Sequence, residues 1–376
     1  MKSCIKSHDK LALNRGSPTF YRRCFAIIMS FTKNLYTILE KFNLSDNDRR
    51  AYTDDAVEIQ NCVIEKLKSA DATFCQIFDG LSLFGSYLDR VKLVTPDEFD
   101  LLMKLKLPFP ITPVKCGDGF VSLNGNIRSC LFAGPDGFVR RNILQKWLRG
   151  VFKKVFSKPL HFRAISGQVY TVNSSTTASL PGCAHNIEAV SAGRTISFDM
   201  VPAFEFSWPQ WPFDETPVPP EIREYWPWFA IPQKMPKSKS KLSFMTCAPH
   251  WEREMMRNSH NFRNVLRLMK GLRDGSADGM PHLSSYMLKT VMLHRLKNVD
   301  WKKDLGLLLL EMWCHLLDHL RCGRLEFFLA SRHNILSHLK SGDANQCRDT
   351  ALALMVKLKN AKDSASYTDL ANCFKI

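Results

Sequence analysis

No Cys-x-x-Cys pair occurs anywhere in the 376 residues, although twelve cysteines are spread from Cys4 to Cys373. Zinc-ribbon spacing is therefore excluded. An early apolar stretch of secretory-leader length is also missing: the run at 25–29 is short and follows Arg22, Arg23 and Cys24. Reduced thiols and a cytoplasmic location are the expectation. No run reads as a membrane span. The longest, 305–317, is interrupted by Glu311 and His315 and reads as a buried helix. Internal repeats are lacking, and low complexity is confined to the Lys/Ser run at 237–241. Acidic residues are in deficit, 36 against 52 Lys and Arg, which leaves a net charge of +16. Such an excess points to a polyanionic partner, nucleic acid or an anionic membrane surface. A merely basic soluble protein is the plainer alternative. An apolar fraction of 45% excludes wholesale disorder, and the length allows two lobes around a cleft.

The pattern along the chain predicts an α+β fold. Residues 1–46 read as a basic tail of about twenty residues and a helix at 24–43. Ser45-Asp46-Asn47-Asp48 offers a start signal for a long helix at 47–70, where Ala56, Ile59, Val63, Ile64 and Leu67 recur at helical spacing. The period then changes. Residues 81–87 contain a Gly-Ser turn, and strands are expected at 98–107, 119–121, 168–172, 186–190 and 195–206. A basic amphipathic helix is expected at 140–156. These segments make a core at 47–207. A Pro/Trp-rich connector at 208–240 excludes regular helix. The remainder, 241–376, reads as a helical lobe from Trp251 to about Lys359, with breaks near 275–281, 298–300 and 342–344.

Within the core stands Gly85-Ser86-Tyr87-Leu88-Asp89, then Asp97-Glu98-Phe99-Asp100-Leu101-Leu102. Side chains two apart on a strand share a face, so Glu98 and Asp100 project together. Neighbouring carboxylates repel and raise one another's pKa unless a cation sits between them. Hard oxygen ligands suit magnesium or manganese. Asp199, in the apolar strand Ile196-Ser197-Phe198-Asp199-Met200-Val201, is the third candidate, because a charge there is costly without a partner. Two metals on Glu98, Asp100 and Asp199 would activate a ribose hydroxyl and neutralise leaving pyrophosphate. The Gly85-Ser86 turn offers amides and a hydroxyl to a triphosphate. Alone, Gly-Ser is common and Glu-x-Asp is usually a solvated strand edge; the combination carries the weight.

Residues 85–92 and 96–105 resemble the core of cyclic GMP–AMP synthase and the related cGAS-like receptors, within the wider Mab family. The resemblance continues through Lys241-Leu242-Ser243-Phe244, Leu266-Arg267-Leu268-Met269-Lys270, 283–290 and 301–306, and so covers about residues 50–360. It implies a bilobed nucleotidyltransferase fold with a spine helix and a helical C-lobe. It implies that Glu98, Asp100 and Asp199 are the metal-binding, catalytic carboxylates, and that Gly85 and Ser86 form the phosphate turn. Tyr286 matches a base-stacking tyrosine. Ser285, Lys270 and Ser243 match nucleotide contacts. Lys241 stands where the synthase has arginine, so base selection there is expected to differ. The zinc-binding insertion of the DNA-sensing synthase is missing: Trp251 to His260 runs almost directly into 266–270. The chain thus resembles the zinc-free insect receptors, some of which respond to double-stranded RNA. ATP and GTP as substrates, two Mg²⁺ or Mn²⁺ ions, no zinc, and a cyclic dinucleotide read by a downstream receptor follow from the resemblance. Assembly as a dimer on the ligand stays open.

Residues 140–163 hold Arg140, Arg141, Lys146, Arg149, Lys153, Lys154, Lys158 and Arg163 without an acid, and Lys234, Lys237, Lys239 and Lys241 form a second basic patch. A one-sided basic helix is a phosphate-binding face; a solvated face is the alternative. No base-reading motif is visible, so recognition is expected through backbone and 2′-hydroxyls. Cys247, His250 and His260 fit no standard zinc spacing. Trp208, Trp211, Trp226 and Trp228 read as anchors of the connector, and Met255, Met256 and Met269 as core. Rival functions are a catalytically silent binding module, a templateless RNA polymerase and a synthase activated by DNA or another anion.

Overall fold

The structure, a computed structural model, describes residues 18–43, 45–93, 97–126, 131–174 and 183–376, with side chains from Ala26 onward. Most of the expected basic tail, and Pro96, lie outside the described residues. Helix α1 (Pro18–Lys41) leads into α2 (Asp46–Ala70). The start signal read from sequence is real: Ser45 is the N-cap, and its hydroxyl accepts from Asp48 N–H at 3.1 Å. Ala56, Ile59, Val63, Ile64 and Leu67 are all buried along one stripe of α2. Helix α3 (Ala72–Ile77) hands over to strand β1 (Phe78–Phe84), and the one-turn helix α4 (Gly85–Leu88) forms the expected Gly-Ser turn.

Strands β2 (Glu98–Leu105), β3 (Thr112–Gly117), β4 (Phe120–Asn124), β5 (Leu160–Arg163), β6 (Val169–Ser174), β7 (His185–Val190) and β8 (Thr195–Phe206) complete the core. Helix α5 (Arg141–Val155) sits between β4 and β5 and buries Leu144, Leu148, Val151 and Phe152. The connector differs from the sequence reading in one respect. It contains the one-turn helix α6 (Pro220–Arg223) and a strand, β9 (Trp228–Ile231). Nor is the C-terminal part helical throughout, because β10 (Phe244–Cys247) pairs with both β9 and β4. The sheet is ten-stranded, ordered β3-β4-β10-β9-β8-β7-β6-β5, with β1 and β2 branching from β8.

Helices α7 (Pro249–Met256), α8 (Phe262–Asp274), α9 (Ser285–Leu293), α10 (Leu305–Cys322), α11 (Ser341–Ser364) and α12 (Tyr367–Phe374) build the second lobe. The break expected at 342–344 is instead the first turn of α11; the interruption lies upstream, between α10 and α11, where residues 335–338 make a 3₁₀ turn. Helix α1 packs on α8, α10, α11 and α12, so it belongs to the helical lobe although it precedes the core in sequence. Thr32 on α1 donates to Asp304, the N-cap of α10, at 2.7 Å. The connector's tryptophans are anchors: Trp228 is fully buried and Trp211 lies 5.1 Å from both Trp228 and Trp251. Among the described residues no helix is long and apolar enough to cross a membrane.

Candidate active site

Strands β2 and β8 run parallel, with Glu98 opposite Ser197 and Asp100 opposite Asp199. Phe99, Leu101, Phe198 and Met200 point into the core, so the alternation of a pleated strand sends the acids to the other face. One oxygen from each of Glu98, Asp100 and Asp199 lies within 4.8 Å of the others. Burial pushes the Asp100 carboxyl up to about 7, and the charges of Glu98 and Asp199 add to it. Lys92 and a backbone hydrogen bond from Ser86 pull the other way. Asp199 is raised for the same reasons, burial first, and Asn186 offsets part of this by donating to its Oδ1 from the neighbouring strand. Lys92 pairs with Glu98, and with Asp97 at 3.7 Å. Three convergent carboxylates, with Asp100 and Asp199 held above the ordinary carboxylate range, are a fitting donor set for hard divalent cations.

Gly85 makes this convergence compatible with the turn. Its φ is +65°, and a Cβ there would fall 1.9 Å from Asp100 Oδ2, inside the carboxylate itself. The turn and the acid therefore share one space.

A cleft of about 380 Å³ opens beside them. Gly85, Ser86, Glu98 and Asp100 line it from the core; Lys270, Ser285 and Tyr286 line it from the helical lobe. Lys270 donates from Nζ to the Val91 carbonyl at 2.9 Å, and burial, helped by Arg273 and Lys92, pulls its ammonium down to about 8. Ser285 Oγ accepts from Arg273 at 3.0 Å. The Tyr286 hydroxyl donates to Glu252 at 2.9 Å, and its pKa is pushed up by burial and then by that carboxylate. Besides Asp199, which meets the other two acids without lining the cleft, two residues named from the sequence stand apart from the cleft lining. Ser243 is fully buried and holds the connector backbone, donating to Gln233 O at 3.3 Å and accepting from Met235 N–H at 3.0 Å. Lys241 is exposed, and its carbonyl accepts from Arg141 N–H at 2.9 Å.

The two basic segments prove to be neighbours. Arg141 at the start of α5 also donates to Ser240 O, at 3.2 Å, which brings Lys237, Lys239 and Lys241 alongside α5. Lys146, Arg149, Lys153, Lys154 and Lys158 are exposed, with Lys154 3.8 Å from Asp71. Arg140 is committed to Asp136 at 2.8 Å, and Arg141 is half-buried, so these two are less free than the sequence suggested. Beneath α5, His185 stacks on Phe152 at 4.3 Å, and burial, with Arg149 nearby, holds it down at about 4.

Sequence reasoning gave no role to Asp89, Glu252 and Lys289, which line the same cleft. The signal was available for Lys289. It lies three residues after Tyr286 on a helix whose other residues after Tyr286 are apolar except Thr290, where a lone ammonium demands carboxylates.

A sheet that converges three acids beside a Gly-Ser turn, closed over by a helical lobe, defines a bilobed nucleotidyltransferase fold. Residues 87–263 match the family model of the Mab-21 protein nucleotidyltransferase domain, and residues 261–353 that of the Mab-21 protein HhH/H2TH-like domain. A cyclic GMP-AMP synthase-like protein of Drosophila melanogaster is 53% identical over 350 residues, 93% of this chain and 99% of that protein. A cyclic GMP-AMP synthase-like receptor of Drosophila eugracilis is 32% identical over 327 residues, 83% and 86% of the two chains. One from Aethina tumida is 24% identical over 330 residues, 81% and 82%. The chain belongs to the Mab-21 family of nucleotidyltransferase-fold proteins, among its cyclic GMP-AMP synthase-like receptors.

Proposed function

We propose that this chain is a cytoplasmic innate immune sensor that joins ATP and GTP into a cyclic dinucleotide of the cyclic GMP–AMP type when double-stranded RNA occupies its basic face. The observation that carries the chemistry is the in-register pairing of Asp100 with Asp199, which gathers three carboxylates at the mouth of a two-lobed cleft. Two Mg²⁺ or Mn²⁺ ions held by Glu98, Asp100 and Asp199 supply the Lewis acidity for ribose-hydroxyl attack and for pyrophosphate departure. The chain's own groups do the rest. Gly85 and Ser86 receive the triphosphate with Lys270, and Tyr286 offers a ring face to a base. The second bond forms in the same cleft once the linear product has turned round: the free ribose hydroxyl attacks the α-phosphate of the remaining triphosphate, and a second pyrophosphate leaves.

A duplex nucleic acid is favoured by the exposed row Lys146, Arg149, Lys153 and Lys154 beside Lys237 and Lys239, a surface of charge without base-reading groups, and the choice of RNA over DNA rests on the missing zinc-binding insertion. The test is chromatographic. Purified protein is incubated with ATP, GTP, Mn²⁺ and a panel of duplexes, beside Asp100→Asn. A small phosphatase-resistant product formed only with duplex RNA is the expected result. Label in long RNA would identify a polymerase, and no product with any ligand would identify a silent binding module. Binding to RNA should weaken steeply with salt, and Lys146→Ala should lower the log–log salt slope by about 1.

A further inference from the structure

In the wall of the cleft lies a cluster of buried charges that the chemistry above does not use. Asp89, Glu252 and Lys289 are only 2%, 4% and 6% exposed. Lys289 Nζ donates to Asp89 Oδ2 at 2.6 Å and reaches Glu252 Oε2 at 2.7 Å. The other oxygen of Glu252 accepts from Tyr286. Burial works to lower the Lys289 ammonium, yet Asp89 and Glu252 together raise it, so it stays charged. Asp89 Oδ1 has no hydrogen-bond partner among the described residues, a cost left standing.

The placement of these groups is informative. Asp89 is the C-cap of α4: its backbone N–H bonds back to Gly85 O at 3.2 Å, and the next N–H, that of Arg90, to Tyr87 O at 3.1 Å. Its backbone thus closes the turn that carries Gly85 and Ser86, while its side chain ties that turn to Lys289. Lys289 and Tyr286 stand three residues apart on α9, in the helical lobe. Glu252 on α7 closes the chain between them. Buried ion clusters seldom add net stability over apolar groups of the same size. Their yield is a fixed geometry, here one between the turn and the tyrosine.

We propose that Lys289 is a positioning residue which, through Asp89 and Glu252, locks the Gly85–Ser86 turn to Tyr286 so that triphosphate and base are held by one unit spanning both lobes. The proposal rests on the functional reading above, but its structural half is measured without any turnover. Amide hydrogen exchange of the wild type is followed against denaturant. Residues 85–91 and 286–292 should open together, with one denaturant dependence; separate opening of the two segments would overturn the lock.

Variants extend the test. Lys289→Met leaves two buried carboxylates unpaired and is expected to fold poorly. The triple variant Asp89→Leu, Glu252→Gln, Lys289→Met removes the unpaired charges. It should melt at or above the wild-type temperature, while exchange at 85–91 rises at least tenfold and the remaining amides are unchanged. In turnover its kcat should fall roughly 100-fold with KM moved much less, as for reacting groups held about an ångström out of place. Wild-type exchange at 85–91 and wild-type kcat in the triple variant would overturn the proposal. A wild type that makes no product under any activator would sink the functional reading, and the exchange data would still decide the lock.

Discussion

Two clusters of charge face one cleft, and they are solved in opposite ways. At Asp89, Glu252 and Lys289 an ammonium sits between two carboxylates, all three are buried, and the charges answer one another from within, with Asp89 Oδ1 alone of their atoms left without a partner among the described residues. At Glu98, Asp100 and Asp199 a single peripheral lysine faces three acids, and Asp100 is held near neutrality at about 7. The first arrangement is closed and serves geometry. The second is open, and its unresolved repulsion is a standing affinity for cations. Density of charge is thus a poor guide to a site; imbalance is the better one.

The sharpest way to break this comparison is to remove the imbalance. Asp100→Asn should lower product formation at least about 1000-fold, since one of the three carboxylates that would hold the metal ions is lost. The same change should raise the melting temperature of the metal-free protein, because a repelling buried carboxyl has gone. Product chromatography and a thermal melt check the two halves, and an unstable variant would contradict the open-cluster view.

Next in size is Gly85→Ala. Its methyl group collides with Asp100 Oδ2, so the acid must swing away, and activity should fall about 100-fold. Mn²⁺ affinity, followed by the resonance of free Mn²⁺, should weaken in parallel. Unchanged affinity would mean that the turn, rather than the acid, yields.

The pH dependence is smaller and has a definite sign. Between pH about 4 and 7 the folded chain keeps a proton on Asp100 that the unfolded chain has released. Stability from this group is therefore lost as pH rises through that window. His185 acts in the opposite sense: the unfolded chain protonates it near 6.5 and the folded chain only near 4, so its contribution is lost as pH falls. The melting temperature of the wild type minus that of Asp100→Asn isolates the acid. The difference should grow more negative from pH 4 to 7, and Mn²⁺ at pH 7.5 should shrink it.

The smallest effect is expected at Lys92→Met. A half-exposed ion pair is worth at most about 1 kcal/mol, so Mn²⁺ should bind up to about fivefold tighter once the competing ammonium is gone. Weaker binding would show that Lys92 helps the ions instead of competing with them.

Much of this site could be read from sequence, for physical reasons. Strand alternation fixes Glu98 and Asp100 on one face whatever the fold, and a charge at Asp199 inside an apolar strand announces a partner. What sequence could not supply was register: that β2 lies parallel to β8 with Asp100 against Asp199 is a tertiary fact. Short strands were also hidden. Trp228, Phe229 and Ala230 are buried without alternation, in a segment whose prolines read as loop. Gly342 looked like a break but sits in the first turn of α11, where backbone N–H groups need no helical partner. The basic residues were visible as a run, while the commitment of Arg140 to Asp136 was not.

The pairing of β2 with β8 also limits how this chain can change over generations. Adding or deleting one residue in either strand would turn its acid to the opposite side of the sheet and bury it among phenylalanines. Lineages carrying such length changes lose the acid cluster in one step, whereas exposed loops away from the Gly85–Ser86 turn can lengthen more readily. Diversification should therefore be recorded as insertions there and as replacements alone in these two strands.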